Sequence, residues 1–337
     1  MYTFLSKEIY LYGNYKLIPI RQEDRHAIML WRNEQLDILR QKEPLTPQQQ
    51  DKYFETVVKG TFAEENPKQI LFSVLWNELL IGYGGLVHIN WVEKTSEISF
   101  LTETTRALDI ILFDNDWTNY LKLLKQIAFG ELSFKEIFTY AYDVRPYLYP
   151  ILERLGFTET QRISKHISIA DELRDVVIHT CTPDSLGFRN ATKTDCQLYF
   201  DWANDEEVRQ HSYNQHKIDF EVHEKWFLKR IEDPHFTFLV FENYELIPVG
   251  QVRIEKKENE LAVIGISIDA KQRGKGYATQ ILKKAVREYK RLHSSTKIEA
   301  FIKETNQASV AAFTKAGFTF VEMVLIENVP SYKLIYS

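Results

Sequence analysis

The sequence lacks most features of secreted, membrane and disulfide-bonded proteins. Its two cysteines, Cys181 and Cys196, are too few for a disulfide framework or a thiolate metal site, which indicates a reducing compartment. No window approaches the roughly 18 uninterrupted apolar residues of a membrane-spanning helix. Residues 1–20 lack the basic start and apolar core of a secretion signal. We therefore expect a cytoplasmic protein with no membrane partner.

The sequence also has no large excess of positive or negative charge. Lys and Arg number 42 against 47 Asp and Glu, a net charge of −5, so no basic field is available to grip a nucleic-acid backbone. With only 13 glycines and 10 prolines, collagen-like and low-complexity structures are excluded. The 337 residues, 44% of them hydrophobic, are enough for two globular domains.

The two halves of the chain share one plan. Trp31 and Asn33 recur as Trp202 and Asn204, each pair 171 positions apart, at the end of a predicted strand–helix unit. A capped amphipathic helix ending in two aromatic residues is predicted next in both halves, at 45–54 and 218–227. These anchors in one order favour an internal duplication over the general similarity of any two domains that mix helices and strands.

The later strands continue the repeat and limit the junction. Gly82 and Gly250 align within two strand–turn–strand segments, and 137–157 aligns with 298–318 as strand, turn, helix and Gly-Phe. We place the junction in 167–187, near residue 180. Antiparallel-looking strands with a few helices in each half predict the α/β (α+β) class.

A basic glycine loop between a strand and a helix is the main chemical signal, in 261–289. Arg273, Gly274, Lys275 and Gly276 follow the strand, and the helix after them has one apolar face. Glycine N–H groups, a helix N-terminus and two cations can cradle a pyrophosphate. The alternative is an ordinary turn and a solvated helix start. Neither a Walker loop nor a dinucleotide fingerprint is present.

Two motifs resemble those of the GNAT N-acetyltransferases. Arg273, Gly276 and Ala278 match the R-x-x-G-x-G/A acyl-CoA motif, and a closing motif follows in the right order. The resemblance covers roughly 186–335 and implies two tandem GNAT folds, each a mixed, mostly antiparallel sheet flanked by helices, with an active domain at 181–337. The closing motif matches at Asn306, Ser309, Phe313, Lys315, Gly317 and Phe318.

The resemblance implies acetyl-CoA as co-substrate. Strand backbone would pair with the pantetheine arm, loop amides would hold the pyrophosphate, and Asn306 would contact the arm. The family often has a proton-donating tyrosine where this chain has Phe313, so water or Ser309 would protonate the thiolate instead. The implied cofactor-binding set is Ile266, Ser267, Ile268, Arg273, Gly274, Lys275, Gly276, Tyr277, Ala278, Asn306, Ser309 and Phe313.

The first half resembles a degenerate GNAT domain, at 1–180, that lacks the acyl-CoA loop. Its segment 100–121 contains no glycine and four acidic residues, which would repel a pyrophosphate. At the position of Asn306 it has Arg145-Pro146, where proline removes a donor. Substrate binding, a scaffold and a dimerisation module are the alternatives for its role, and a homodimer stays open.

The segment 201–236 resembles the acceptor region of amino-sugar-nucleotide N-acetyltransferases of the pseudaminic-acid type. RimJ/RimL-like protein acetyltransferases share a looser form of the pattern. The resemblance implies the primary amine of a small molecule, a nucleotide-linked amino sugar, as acceptor. Acetylation of a protein N-terminus or an antibiotic, and a non-catalytic acyl-CoA sensor, are the alternatives. The matching residues are Trp202, Asn204, Val208, Arg209, Ser212, Ile218, His223 and Trp226, followed by Arg253.

His223 of the acceptor region and Ser309 of the closing motif are the predicted catalytic residues. His223 is the predicted base for the attacking amine. Trp202, Arg209, Ser212 and Arg253 are the predicted substrate-binding residues. Packing roles remain open for Trp202 and His223, and Glu255 and Glu260 are rival bases. Histidine spacing typical of zinc enzymes is missing, so we predict no metal.

Overall fold

Each half of the chain folds around its own β-sheet. The computed structural model describes residues 2–169 and 171–337, so Ala170, in the predicted junction, lies outside the described residues. One unit extends to Gly187 and includes Tyr244–Leu246, and the other comprises Phe188–Asn243 and Ile247–Ser337. The mixed, mostly antiparallel sheets of 8 and 7 strands are flanked by helices, which confirms the predicted fold class.

The first unit is an eight-stranded sheet in the order β1-β2-β3-β4-β5-β6-β8-β7. Its strands are β1 (Tyr10–Tyr12), β2 (Tyr15–Pro19), β3 (Ile70–Trp76), β4 (Leu79–Asn90), β5 (Thr95–Thr102), β6 (Glu136–Tyr142), β7 (Thr158–Ile169) and β8 (Glu172–Cys181). Its helices are α1 (Arg25–Glu34), α2 (Pro47–Tyr53), α3 (Lys59–Thr61), α4 (Thr104–Leu108), α5 (Ile110–Lys125) and α6 (Leu148–Arg154). Because β8 pairs with both β6 and β7, much of the predicted junction belongs to this sheet.

The second unit is a seven-stranded sheet in the order β14-β15-β13-β12-β11-β10-β9. Its strands are β9 (Gly187–Asn190), β10 (Phe236–Glu242), β11 (Pro248–Lys256), β12 (Leu261–Ile268), β13 (Lys297–Lys303), β14 (Thr319–Ile326) and β15 (Val329–Tyr336). Its helices are α7 (Cys196–Ala203), α8 (Glu206–His211), α9 (Phe220–Ile231), α10 (Tyr277–Leu292) and α11 (Gln307–Ala316).

The long helix α10 shows why these segments are helical. Its buried residues, spaced one, three and four apart, form a single apolar face that packs in the core, while most of its remaining surface is polar. Through residues 2–169 and 171–337, every helix is too short or too polar to cross a membrane. The buried residues of α10 are Ile281, Leu282, Ala285, Val286 and Tyr289.

An asparagine at the same place in each half joins two segments. Asn33 Nδ2 donates to the Leu45 carbonyl at 2.9 Å, and Asn33 Oδ1 accepts from the Leu45 N–H at 2.7 Å. Asn204 makes the same pair of bonds to Ile218, at 3.0 Å and 2.8 Å. An amide can satisfy one donor and one acceptor in this way, so the repeated residue has a repeated structural role.

The aligned glycines mark a close approach of two strands. A Cβ at Gly82 would lie 2.6 Å from the Leu101 carbonyl oxygen, and a Cβ at Gly250 would lie 2.6 Å from the Ser267 carbonyl oxygen. Both distances are shorter than van der Waals contact. Each position therefore excludes any side chain unless the backbone moves.

The parallel strand pair of each sheet holds together over only three positions. In the second unit, Leu261–Val263 of β12 pair with Lys297–Glu299 of β13, and in the first unit Thr95–Glu97 of β5 pair with Glu136–Phe138 of β6. Among the described residues no further pair follows in either case, so the two strands diverge toward their carboxyl ends.

The glycine contacts predict a stability difference within the first unit. Gly82→Ala should lower the free energy of unfolding by about 1–3 kcal/mol, because the new methyl group meets backbone. Gly60→Ala, in a helix where a Cβ would lie 3.6 Å from Glu64 Oε1, is the control and should raise stability by up to about 1 kcal/mol. Urea unfolding of both variants measures the difference. Equal stability of the two would contradict the close approach.

Candidate active site

The divergence of β12 from β13 opens a cleft of about 740 Å³ in the second unit. Ile264–Ile268 line it from β12, and Phe301–Lys303 line it from β13. The β12 edge that faces β13 has no strand partner over these residues, so its backbone groups are left for a ligand. The predicted residues Ile266, Ser267 and Ile268 therefore lie on a wall of the cleft. An extended ligand that contains amide groups could form hydrogen bonds with their backbone there.

The glycine loop forms the next part of the wall. Gly274 and Gly276 both have φ of +77°, a conformation that favours glycine, and Gly276 immediately precedes α10. A Cβ at either glycine would meet nothing within 4 Å, so the space beside the loop is open. Backbone N–H groups at the start of a helix in open space suit a phosphate group. Gly274, Gly276, Tyr277 and Ala278 line the cleft as predicted for cofactor contact.

The charged side chains of this loop differ from the expectation. Arg273 Nη1 donates to Glu207 Oε2 at 2.9 Å, and Arg273 Nη2 donates to Asp205 Oδ1. Lys275 is exposed, bonds Gln272 Oε1 at 2.9 Å and does not line the cleft. Neither cation therefore points freely toward the cradle, and what the loop offers to an anion is mainly backbone.

The predicted closing-motif residues meet the same cleft. Asn306 Oδ1 accepts from the Ser309 N–H at 3.1 Å and so caps α11. Phe313 is buried, with its ring 4.9 Å from that of Phe318. Asn306, Ser309 and Phe313 all line the cleft, and Ser309 is the hydroxyl-bearing lining residue on the same helix as Phe313.

His223 is a buried histidine on the acceptor side of the cleft. The Cys196 backbone carbonyl accepts a hydrogen bond from its ring, and its Nε2 has no hydrogen-bond partner among the described residues. Burial lowers its pKa below the usual value of 6.5, against the smaller opposite effect of that carbonyl. The ring is therefore neutral at pH 7. Its carbonyl-bonded nitrogen carries the proton, so Nε2 is the unprotonated nitrogen of the ring, and it is buried.

Comparison with the first unit shows which hydrogen bond of His223 has a structural role. Gln50 occupies the corresponding position, is buried, and donates from Nε2 to the Arg25 carbonyl at 2.9 Å. Arg25 and Cys196 are 171 positions apart, so the two bonds are equivalent. The shared bond packs two helices together. The unpartnered Nε2 of His223 is what the second unit has in addition.

Arg253 is a cation in the cleft without an anionic partner. It lies on β11 opposite Gly265, where the missing side chain leaves room for it: a Cβ there would be 4.0 Å from Arg253 Nη2. Its guanidinium carbon lies 5.3 Å from the Trp226 ring centroid. Among the described residues no carboxylate forms an ion pair with it. Desolvation by the surrounding protein lowers its pKa, against the smaller opposite effect of the nearby Glu255 carboxylate, although the side chain is exposed to cleft solvent.

The remaining predicted acceptor residues divide into two groups. Arg209 and Ser212 line the cleft, but Arg209 donates to the Asn214 carbonyl at 3.1 Å and to Ser212 Oγ at 2.9 Å, so it mainly shapes its own loop. Trp202 does not line the cleft. It is buried in a core cluster, with Nε1 donating to Asp269 Oδ2 at 3.0 Å, so we remove it from the substrate-binding set.

Several residues that line the cleft were missed from sequence, and three of them have polar groups that matter for the site. Lys303 ends β13, Gln251 faces Ser267 across β11 and β12, and Glu207 pairs with Arg273. Gln251 Oε1 is buried and has no partner among the described residues. Alternation along β11 places Gln251 on the same face as Arg253, a signal that could have found it.

The residues present fit acetyl-CoA. An unpaired strand edge suits the amides of the pantetheine arm, and the glycine loop before α10 suits its pyrophosphate. Within residues 2–169 and 171–337, no group of three or more His, Cys, Asp and Glu side chains is arranged to hold a metal ion.

Comparison with known proteins agrees with this geometry. Models of the acetyltransferase (GNAT) domain match residues 17–178 and 185–319. The uncharacterized N-acetyltransferase YfmK of Bacillus subtilis (strain 168) is 33% identical over 118 residues, which cover 35% of this chain and 74% of the relative.

Two solved structures have a similar fold. Spermidine N-acetyltransferase of Vibrio cholerae, in complex with CoA and spermine, is 17% identical, covers 45% of this chain and 94% of its own, and has a TM-score of 0.42. The aminoglycoside acetyltransferase AAC(6')-Ib with acetyl-CoA is 17% identical, covers 45% and 93%, and has a TM-score of 0.40. On the family models and the curated relative, this chain belongs to the GNAT N-acetyltransferase family, with two such domains in tandem, and is an acetyl-CoA-dependent acyltransferase.

Proposed function

We propose that the second domain acetylates the primary amine of a nucleotide-linked amino sugar. The observation that carries this proposal is Arg253, a cation in the cleft with no carboxylate partner among the described residues. Arg253 is exposed to the solvent of the cleft, where an anionic substrate group can form a charge-assisted hydrogen bond with it. The resemblance of 201–236 to amino-sugar-nucleotide acetyltransferases supports the same acceptor.

The charge of the cleft wall favours an anionic acceptor over a polycation. Arg209, Arg253 and Lys303 line it as cations, whereas the charge of Arg273 is offset by Asp205 and Glu207. Glu207 is already paired with Arg273. Like charges repel in such a site, so a polyamine or an aminoglycoside would be disfavoured, whereas nucleotide phosphates would be attracted. A protein N-terminus would need an acidic groove instead.

The chemistry proposed for the cleft needs a base and an oriented amine. Acetyl-CoA supplies a thioester carbonyl for direct attack. His223 Nε2 accepts the proton of the acceptor ammonium, directly or through one water. Gln251 Oε1, a buried acceptor without a partner among the described residues, holds an amine N–H. Orientation of this kind contributes on the order of 7–11 kcal/mol to lowering the barrier.

A strong acid for the leaving thiolate is not required. A thiol pKa of about 8.5 makes thiolate a tolerable leaving group near neutral pH. Ser309 or water then supplies the proton that Phe313 cannot.

The reaction consumes acetyl-CoA, a cytoplasmic metabolite, and we propose the same location for this protein.

The first domain is proposed to bind no acyl-CoA. Where the second domain has its glycine loop, the first has α4, whose Arg106 is buried and donates twice to Asp116 at 2.7 Å. Gln35 Nε2 donates to the Thr102 carbonyl at 2.9 Å, and Arg145 donates to Gln35 Oε1 at 3.2 Å. Side chains thus occupy the end of β5. Substrate binding, a scaffold role and a homodimer contact remain the proposed alternatives for this domain.

Acceptor choice is the first test. Amino sugars linked to uridine or cytidine phosphates should release CoA with a higher kcat/KM than spermidine or kanamycin. Arg253→Met should raise the acceptor KM about tenfold or more while changing the acetyl-CoA KM less than threefold, and Arg253→Lys should lie between. Preference for the polycations would contradict the proposal. Tight acetyl-CoA binding with no turnover of any amine would indicate a sensor.

The pH dependence of His223→Gln is the second test. Because its lowered pKa keeps His223 neutral at pH 7, kcat/KM should fall as pH decreases below about 6.5 and the base becomes protonated. Gln50 in the first unit shows that glutamine can keep the helix-packing bond. His223→Gln should therefore fold and bind acetyl-CoA, lose roughly 10²-fold in kcat/KM, and lose this acidic limb. Normal turnover with the limb intact would assign His223 to packing.

The stoichiometry of acetyl-CoA is the third test. Calorimetric titration should give one site per chain, and Gly276→Asp should lose most of the affinity. Gly276→Asn is the matched control because it has the same shape and tolerates positive φ without the charge. The Asp variant should bind at least about tenfold more weakly than the Asn variant. Two equivalent sites, or equal affinity of the two variants, would disprove this arrangement.

A further inference from the structure

The Arg273 side chain joins the glycine loop to the helix that carries much of the acceptor wall. Its two terminal nitrogens bind separate carboxylates, Glu207 at 2.9 Å and Asp205. Asp205 Oδ1 also accepts from the Val208 N–H at 3.1 Å and so caps α8. One carboxylate therefore both begins the helix and holds the loop.

Helix α8 depends on such contacts. It has 6 residues, and a helix that short is not stable alone in water. At its other end, Lys303 Nζ donates to the Gln210 carbonyl at 3.1 Å. Glu207, Val208, Arg209 and His211 all line the cleft, so a shift of α8 would reshape the acceptor side.

The charge of this cluster argues against a direct role in holding phosphate. One guanidinium and two carboxylates sum to −1, so the cluster offers a pyrophosphate no attraction at contact distance. The loop backbone and the α10 N-terminus remain as the anion-binding groups. The fork of Arg273 is thus free to serve another purpose.

We propose that Arg273 is a positioning residue for the acceptor side of the cleft. Its guanidinium group binds the carboxylates of Asp205 and Glu207 and so holds α8 against the glycine loop. The cleft wall formed by α8 thereby keeps a fixed position relative to the bound thioester. The residue acts through Asp205 and Glu207 and does not touch the reacting atoms. This inference rests on the acetyltransferase activity and not on the identity of the acceptor.

Hydrogen exchange and binding test the inference without an acceptor. Arg273→Lys keeps the charge but cannot fork to two carboxylates. Amide exchange over 206–212 should become about fivefold faster or more, while the acetyl-CoA Kd changes less than threefold. Asp205→Asn, which keeps a capping side chain, should have the same effect. Lys193→Gln, which breaks the exposed pair with Glu232 at 2.5 Å, is the control and should leave 206–212 unchanged.

Kinetics add a second readout. With an amino-sugar nucleotide as the probe, Arg273→Lys should raise the acceptor KM about fivefold to tenfold, and adding Glu207→Gln should cause no further loss, because both changes break the same fork. A tenfold or greater loss of acetyl-CoA affinity with unchanged exchange over 206–212 would overturn the inference and assign the Arg273 charge to the pyrophosphate. Unchanged exchange and unchanged affinity would overturn it as well.

Discussion

The whole site depends on two parallel strands that stop pairing. Three residues of β12 pair with β13, and beyond Val263 the β12 edge that faces β13 has no strand partner among the described residues. In a protein interior such an edge would be destabilising, because each buried N–H and C=O needs a hydrogen bond. Here it faces a cleft, where an amide-bearing ligand can replace the missing strand. The loop, the α10 terminus and the acceptor helices all lie around this opening.

The internal repeat and the glycine loop could be predicted from the sequence because local backbone geometry restricts the residue type at these positions. Asn33 and Asn204 each join two backbone groups, and Gly82 and Gly250 each meet a carbonyl, so no other residue serves easily and the repeat stayed visible. The cofactor side was readable for the same reason, because a loop at φ of +77° before a helix strongly favours glycine. Residue type and backbone geometry correspond closely at such positions.

Side-chain direction was not readable in the same way. Trp202 sits in a helix beside the cleft, yet its indole turns to Asp269, and Arg273 turns from the loop to two carboxylates. A long side chain can reach several partners, and which one it takes depends on segments far away in sequence. Lys303 was missed for that reason: its partner is the Gln210 carbonyl, 93 residues earlier.

Gln50 and His223 make equivalent hydrogen bonds in the two units, which distinguishes the structural role of this position from any chemical role. Glutamine makes the packing bond in the first unit, and His223 makes the equivalent bond with one ring nitrogen in the second, so its Nε2 carries no packing bond among the described residues. Histidine and glutamine codons are neighbours in the genetic code, so one domain could lose or gain a base without disturbing its fold. After a duplication, such a position can differ between the two copies while each keeps the bond that packs its two helices.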